Sequence, residues 1–416
     1  MSEALPRQPW MSHPATVAVM DALAAAGGPD CARFVGGCVR NALIGAPVSD
    51  VDIATILTPP QVKAALAAAG IAAVATGEAH GTITAISDHR PFEITTLRRD
   101  VETDGRHAVV AFTDDWSEDA ARRDFRLNAI YADGDGRLFD PTGRGVADAR
   151  AGAVVFVGDP ADRIREDALR ILRFFRLHAW YGRGEPDQAA LAACARLKDL
   201  AANLSAERVA HELLTLLGAD DPRAAVRLMA EAGVLAVVAP RATNLARFER
   251  LTAIETEALF ENDRLLRLAA LLPDDPAAAQ ALAERLRLSN ARKARLIAAA
   301  APDPEIVSWM SPKAVRRGVW RLGAGAFCDK VMLAWAGADR KAATAQWRAL
   351  IPMARSWPRP TFPLDGDEVM AAGVPRGPLV GKVLAEVEAW WVDNDFPADK
   401  LSIIERLKAV AQGMAY

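Results

Sequence analysis

Residues 36–55, GGCVRNALIGAPVSDVDIAT, gather three kinds of group that act on phosphates. Gly36 and Gly37 follow the apolar pair Phe34-Val35, and Arg40 follows the glycines. A glycine turn lets a phosphate approach backbone N–H groups with no side chain in the way. Asp50 and Asp52 stand at alternate positions. On a strand, alternate residues share a face. Two carboxylates on one face can hold a pair of divalent cations, and Mg²⁺ prefers carboxylate and phosphate oxygens. Paired cations suit in-line attack of a hydroxyl on an α-phosphate, one on the nucleophile and one on the leaving pyrophosphate. The segment therefore points to chemistry on a nucleoside triphosphate. A lone DxD also occurs as an exposed strand end, so other segments must decide. Glu93, within FEITTLR, lies in another strand-like stretch and is a candidate third carboxylate.

Two further segments carry recognition chemistry. In RRDFRLNA, residues 122–129, the adjacent arginines Arg122 and Arg123 can serve phosphate oxygens, and Asp124 can accept from a ribose hydroxyl. Asp124 and Asn128, four apart, also read as a structural hydrogen-bond pair. In EDALRILRFFR, residues 166–176, Asp167 and Arg170 are three apart and are neighbours if the segment is one helix. Side by side they offer an acceptor and a donor. Cytosine and adenine each present an amino donor beside a ring-nitrogen acceptor, whereas uracil and guanine reverse that order. One Asp/Arg pair thus serves both C and A. The alternative is an intrahelical salt bridge worth ~0.3–0.5 kcal/mol. Arg173 and Arg176 follow at steps of three, each drifting around the helix, and suit phosphate better than base.

These residues need a sheet to present the carboxylates and helices to present the arginines. Up to about residue 158 the sequence is mixed. Strand-like segments at 33–35, 51–54, 82–86, 92–97, 108–112, 129–131 and 154–157 alternate with turns, and a helix starts at Pro59-Pro60. From Pro160 onward the strand signal nearly vanishes. Ala, Leu and Arg recur at helical spacing over 168–180, 207–217, 224–232 and 263–272. The expected fold class is α+β, a small sheet-containing unit followed by a long all-α region.

The chain has 416 residues, enough for several domains, and its 51% hydrophobic content argues against wholesale disorder. No apolar run approaches the ~20 residues of a membrane span, and the N-terminus lacks a signal-peptide pattern. Four scattered cysteines without a CxxC fit a reducing cytoplasm. Net charge is only -3, yet residues 285–348 hold thirteen Lys and Arg against four Asp and Glu. Such a block reads either as phosphate contacts or as a solvated helical face. The six histidines supply no His-Asp metal pairs of the phosphohydrolase kind, and Asp88-His89 reads as a turn.

In this order the motifs resemble the bacterial tRNA nucleotidyltransferase (CCA-adding) and poly(A) polymerase family of the DNA polymerase β superfamily. The glycine–arginine–DxD segment is similar to its catalytic motif, Arg122-Arg123-Asp124 to its ribose-selecting motif, and Asp140-Pro-Thr-Gly143 to the hinge that follows. Glu166-Asp-x-x-Arg170 resembles its amino-acid template for the incoming base, and Ser205-Ala-Glu-Arg208 with Gly233-Val-Leu235 resembles its helical neck. The resemblance implies Asp50 and Asp52 as Mg²⁺ ligands with Glu93 assisting. It implies Gly36, Gly37, Arg40, Arg123, Asp124, Asp167, Arg170, Arg173 and Arg176 as nucleotide contacts. It implies a head with about five strands over 1–158, a neck over 159–242, a body over 243–345 and a tail over 346–416. The implied substrates are tRNA, CTP and ATP. Asn41 stands where the family usually has Asp, and Arg126 where it usually has Thr. Residues 76–82 look tRNA-specific rather than poly(A)-like, and residues 104–112 resemble the flexible loop that CC-only enzymes lack. An enzyme adding only the terminal A keeps all these motifs.

Overall fold

The computed structural model describes residues 4–78, 81–103, 108–338 and 343–413. Ala79 and His80, and residues 104–107, lie outside the described residues, so the two segments expected to separate the family's activities are described only in part. The chain divides into two compact units. One comprises Met1–Pro240 with Arg285–Arg287, and the other Arg241–Glu284 with Leu288–Tyr416.

The first unit is built on a mixed sheet. Its strands are β1 (Ala32–Val35), β2 (Asp52–Thr55), β3 (Ala72–Gly77), β4 (Thr82–Ser87) and β5 (Arg90–Thr96). A separate ribbon is made by β6 (Arg98–Thr103) and β7 (Ala108–Phe112), and the two-residue strands β8 (Tyr131–Ala132) and β9 (Leu138–Phe139) extend the main sheet. The sheet order is β3-β4-β5-β2-β1-β8-β9. Of the expected segments, 33–35, 51–54, 82–86 and 92–97 form β1, β2, β4 and β5, 108–112 forms β7 of the ribbon and 129–131 overlaps β8, whereas β3, β6 and β9 were not anticipated. β2 pairs parallel with β5, placing Asp52 opposite Glu93, and antiparallel with β1. Asp88-His89 forms the two-residue turn between β4 and β5, with φ of 49° and 60°. Positive φ at both central residues matches the twist of a hairpin. The strand expected at 154–157 does not form; Phe156 makes only a single bridge to Phe125. Its apolar side chains serve packing instead: Phe156 lies against Phe125 and Phe174 at centroid distances of 4.5 and 6.2 Å.

Helices of this unit are α1 (Pro14–Gly27), α2 (Gly37–Ile44), α3 (Pro59–Ala68), α4 (Trp116–Ala121), α5 (Gly145–Ala151), α6 (Pro160–Glu166), α7 (Leu169–Tyr181), α8 (Gln188–Arg196), α9 (Ala206–Leu217), α10 (Arg223–Glu231) and α11 (Val234–Val238). Their starts are written in the sequence. Thr58 and Gln61 make a capping box with Pro59 at the first turn of α3. Asp115 caps α4 through Ser117 N, and Asp159 caps α6 ahead of Pro160. β1 delivers the chain into α2 through Gly36, whose φ of 74° is natural only for glycine.

The second unit is helical among its described residues. One of its cores is aromatic: Trp391 is buried, and Trp320, Phe362 and Phe396 pack on it at 5.0–5.3 Å. No helix of the described residues is long and apolar enough to cross a membrane.

Candidate active site

The glycine turn is the centre of the site. A Cβ built on Gly36 would lie 3.9 Å from Arg123 Nη1, and one on Gly37 would lie 3.7 Å from Arg40 Nη2. Two guanidinium groups therefore converge on a turn that has no side chains. Only glycine leaves that space open, and the N-terminus of α2 adds N–H groups without intrahelical partners.

The carboxylates lie on the neighbouring strand. Asp52 opens β2 and shares register, hence face, with Glu93 of β5. Asp50 corrects the expectation that both aspartates lie on one strand. It precedes β2 in irregular backbone, is exposed, and accepts from Ser49 Oγ at 2.8 Å. The strand starts late because residues 46–51, which follow the turn at Gly45, join no sheet ladder. Burial, the negative charge of Glu93 and that of Asp50 push the Asp52 carboxyl up to about 6 against the pull of Arg123. Among the described residues no three His, Cys, Asp or Glu side chains are already gathered as a metal cluster. The donors are all hard carboxylate oxygens whose mutual repulsion a cation would relieve, so they fit a divalent ion of the Mg²⁺ type.

Arg123 is held by a residue that motif reading missed. Asp119, 1% exposed on α4, accepts from Arg123 Nε and Nη2 at 3.1 and 2.9 Å, from Arg122 Nε at 2.8 Å and from Tyr131 Oη at 2.7 Å. Burial alone would raise its carboxyl; the charges of Arg123 and Arg122 and the Tyr131 bond overcome this and hold it at about 2. Its spacing of three and four before the two arginines was the available signal.

Asp124 is engaged on both oxygens by protein groups. Its Oδ2 accepts from Arg173 Nε at 2.6 Å, and its Oδ1 from Phe125 N and from Asn128 Nδ2 at 2.8 and 3.3 Å. The expected Asp124–Asn128 pair forms. Burial raises the Asp124 carboxyl, but the charge and hydrogen bonds of Arg173 pull it below its ordinary value. Arg173 also faces Glu212 of α9 at 3.8 Å, and Arg176 Nε donates to Glu212 at 2.5 Å. Glu212 is 4% exposed and was not singled out in the sequence. Of the arginines expected to contact nucleotide, Arg123, Arg170, Arg173 and Arg176 are each paired to a carboxylate.

Asp167 and Arg170 do not lie on one helix. α6 ends at Glu166, Asp167 is extended with φ −148°, and α7 begins at Leu169. The physical reason is capping: Asp167 Oδ1 accepts from Leu169 N at 3.0 Å, an alternative to helix that short acidic side chains favour. The two side chains have separate partners. Asp167 Oδ2 accepts from Arg208 Nη2 at 2.7 Å, whereas Arg170 donates to Glu166 Oε2, Arg163 O and Arg122 O at 2.5, 2.8 and 3.3 Å. Arg170 thus touches the backbone of the RRD segment.

Among the described residues, six of the thirteen basic side chains of the block at 285–348 are paired to carboxylates. Arg287 pairs with Glu207, Lys293 with Glu284, Arg295 with Asp263 and Asp329, Arg316 with Asp395, Arg317 with Asp393, and Arg321 with Asp303 and Glu305. Most of these acids lie outside the block, which is why a local count overstated its charge.

This fold and site define a nucleotidyltransferase with a poly(A) polymerase head. Residues 32–155 match the family model for the poly A polymerase head domain, and residues 185–245 match that of the probable RNA and SrmB-binding site of polymerase A. The mouse mitochondrial CCA tRNA nucleotidyltransferase 1 is 33% identical over 402 residues, covering 90% of this chain and 86% of its own length. The CCA-adding enzyme of Latilactobacillus sakei is 28% identical over 386 residues, covering 91% and 94%. The crystal structure of the Bacillus stearothermophilus CCA-adding enzyme in complex with CTP superimposes with a TM-score of 0.76 at 25% identity, covering 97% of this chain and 99% of that one. The chain belongs to the CCA-adding tRNA nucleotidyltransferase family.

Proposed function

We propose that the protein adds C, C and A to the 3′ end of tRNA from CTP and ATP, releasing pyrophosphate at each step. The observation that carries this reading is the convergence of Arg40 and Arg123 on the side-chain-free glycine turn, beside the Asp52–Glu93 carboxylate pair. The arginines and α2 N–H groups hold the triphosphate, and the glycines admit it. The tRNA 3′-oxygen forms a bond to the α-phosphorus while the bond to the β-phosphate bridging oxygen breaks. The hydroxyl proton passes to solvent or a nearby carboxylate. Asp50 and Asp52 would hold Mg²⁺, with Glu93 assisting; when bound, the metal lowers the pKa of the attacking hydroxyl and stabilises charge on the leaving group. Asp124 receives the ribose hydroxyl on release of Arg173, and Asp167 with Arg170 reads C or A on release of Arg208 and Glu166. Arg173 and Arg176 serve the nucleotide from α7.

The finer division into head 1–158, neck 159–242, body 243–345 and tail 346–416 goes with this reading, body and tail binding tRNA. Four free, buried cysteines suit a reducing cytoplasmic setting. The test uses tRNA transcripts ending before the first C, after the second C, and an unrelated RNA, each with labelled CTP or ATP. C and A incorporation confined to tRNA is expected. Long A tails on any RNA would assign a poly(A) polymerase, and A addition only to tRNA ending in CC would assign an A-adding enzyme.

A further inference from the structure

Arg40 is 7% exposed, and its hydrogen-bond partners are all neutral. Nε and Nη2 donate to Asn41 Oδ1 at 3.1 and 2.8 Å, Nη1 donates to Asn128 Oδ1, and Nη2 also donates to Tyr181 Oη at 2.8 Å. The guanidinium lies over the Tyr181 ring at 3.8 Å. A buried cation is costly unless a counter-charge meets it. The carboxylate whose field reaches it, Asp124, is already held by Arg173. Arg176 adds a second positive field. Asn41 is the residue that sets this balance. Its carbonyl must face the Arg40 donors, which turns its amide outward to donate to Pro47 O at 2.6 Å. Asn41 therefore orients Arg40 without neutralising it and ties the same point to the loop that leads into Asp50 and Asp52. An aspartate here could orient Arg40 equally well. It would also cancel the charge, and it has no N–H for Pro47 O.

We propose that Asn41 is a positioning residue that keeps the buried Arg40 charge uncompensated at the glycine turn, so that the substrate's triphosphate supplies the missing counter-charge. The proposal rests on the reading of the glycine turn as the triphosphate site. Arg40 Nη2 lies within 4 Å of the space over Gly37, and one Nη1 hydrogen has no partner among the described residues. A full opposing charge beside Arg40 would compete with an anion for the guanidinium, so swapping Asn for Asp is a large local change in charge for little change in shape.

The test compares the wild-type chain, Asn41→Asp and Asn41→Ala. Inorganic tripolyphosphate binding is read by calorimetry, and CTP and ATP incorporation into tRNA is read by steady-state kinetics. Asn41→Asp should weaken tripolyphosphate about tenfold and raise KM for CTP and ATP by one common factor, since the charge acts on phosphate and not on base. Asn41→Ala keeps the cation but loses the Pro47 tie, so its kcat should fall while tripolyphosphate affinity stays within about threefold. A merely structural role would instead lower melting temperature in both variants with no difference between them in tripolyphosphate affinity. Equal tripolyphosphate binding by wild type and Asn41→Asp overturns the proposal, as does no binding by wild type. If tripolyphosphate follows the expected order but no C or A is added to tRNA, the proposed activity fails and the role of Asn41 stands.

Discussion

Replacing Asp119 with Asn removes one charge from a site that holds two arginines, and its consequences can be worked out. The carboxyl is held at about 2 in the folded protein against an ordinary 3.8. Each pKa unit is about 1.4 kcal/mol, so charged Asp119 contributes on the order of 2 kcal/mol above both values. Its folded pKa is depressed, so this contribution is fully present above pH 3.8 and is lost as pH falls through about 2. Removing one member of a buried ion pair also strands its partners, at ~3–5 kcal/mol when burial is complete. Arg122 and Arg123 keep 15% and 18% side-chain exposure, and Asn still offers one acceptor, which places the expected loss at about 2–3 kcal/mol. Urea unfolding of wild type and Asp119→Asn should show that gap at pH 7, unchanged to about pH 5 and shrinking below pH 4. Because Arg123 loses its anchor beside Gly36, KM for both CTP and ATP should rise together. An Asp119→Asn protein that unfolds within about 0.5 kcal/mol of wild type at pH 7, the scale of a neutral surface change, and keeps its KM values would refute the reasoning.

Asp52→Asn should end nucleotide incorporation, yet the metal-free protein should melt no lower than wild type, because the native carboxylate is partly buried and repelled by Glu93; circular dichroism melts with chelator check it. Arg208→Ala should alter stability by no more than about 1 kcal/mol, since its pair with Asp167 is 43% and 30% exposed, whereas Asp167→Ala should admit UTP as a substrate in filter-bound incorporation assays. Neutralising Arg292 and Lys313 together, which are exposed and lie outside the ion pairs above, should raise KM for tRNA and flatten its salt dependence; filter binding across a salt series that shows no change would argue against the 285–348 block as a tRNA surface.

The depth to which the site was legible followed the range of the interactions. Glycine turns, helix starts and hairpins depend on a few adjacent residues, so Gly36, the Pro59-Pro60 helix start and the Asp88-His89 turn were read directly. The strand expected at 154–157 failed because an apolar run satisfies packing against Phe125 and Phe174 as well as it satisfies a sheet. The one-helix reading of Asp167 and Arg170 failed because a three-residue spacing says nothing of whether Asp167 caps a helix or continues one. The pairing of the basic block was not legible because its partner acids, Glu207, Asp263, Asp393 and Asp395, come from outside the block.

By itself the sequence determined the chemistry on offer: a glycine turn, carboxylates for a divalent ion, arginines for phosphate, and the α+β order of the chain. Those are properties of residue types and short spacings. The tertiary structure alone decided which charges are spent and which are left over. Asp119 reaches Tyr131 and Arg123, Arg173 spans from α7 to Asp124, Glu212 joins from α9, and Arg40 meets Asn128 and Tyr181 across 88 and 141 residues of chain. Coulomb energies and desolvation depend on distances in space, not along the sequence. A buried guanidinium with neutral partners and one with a carboxylate look alike until the chain is folded.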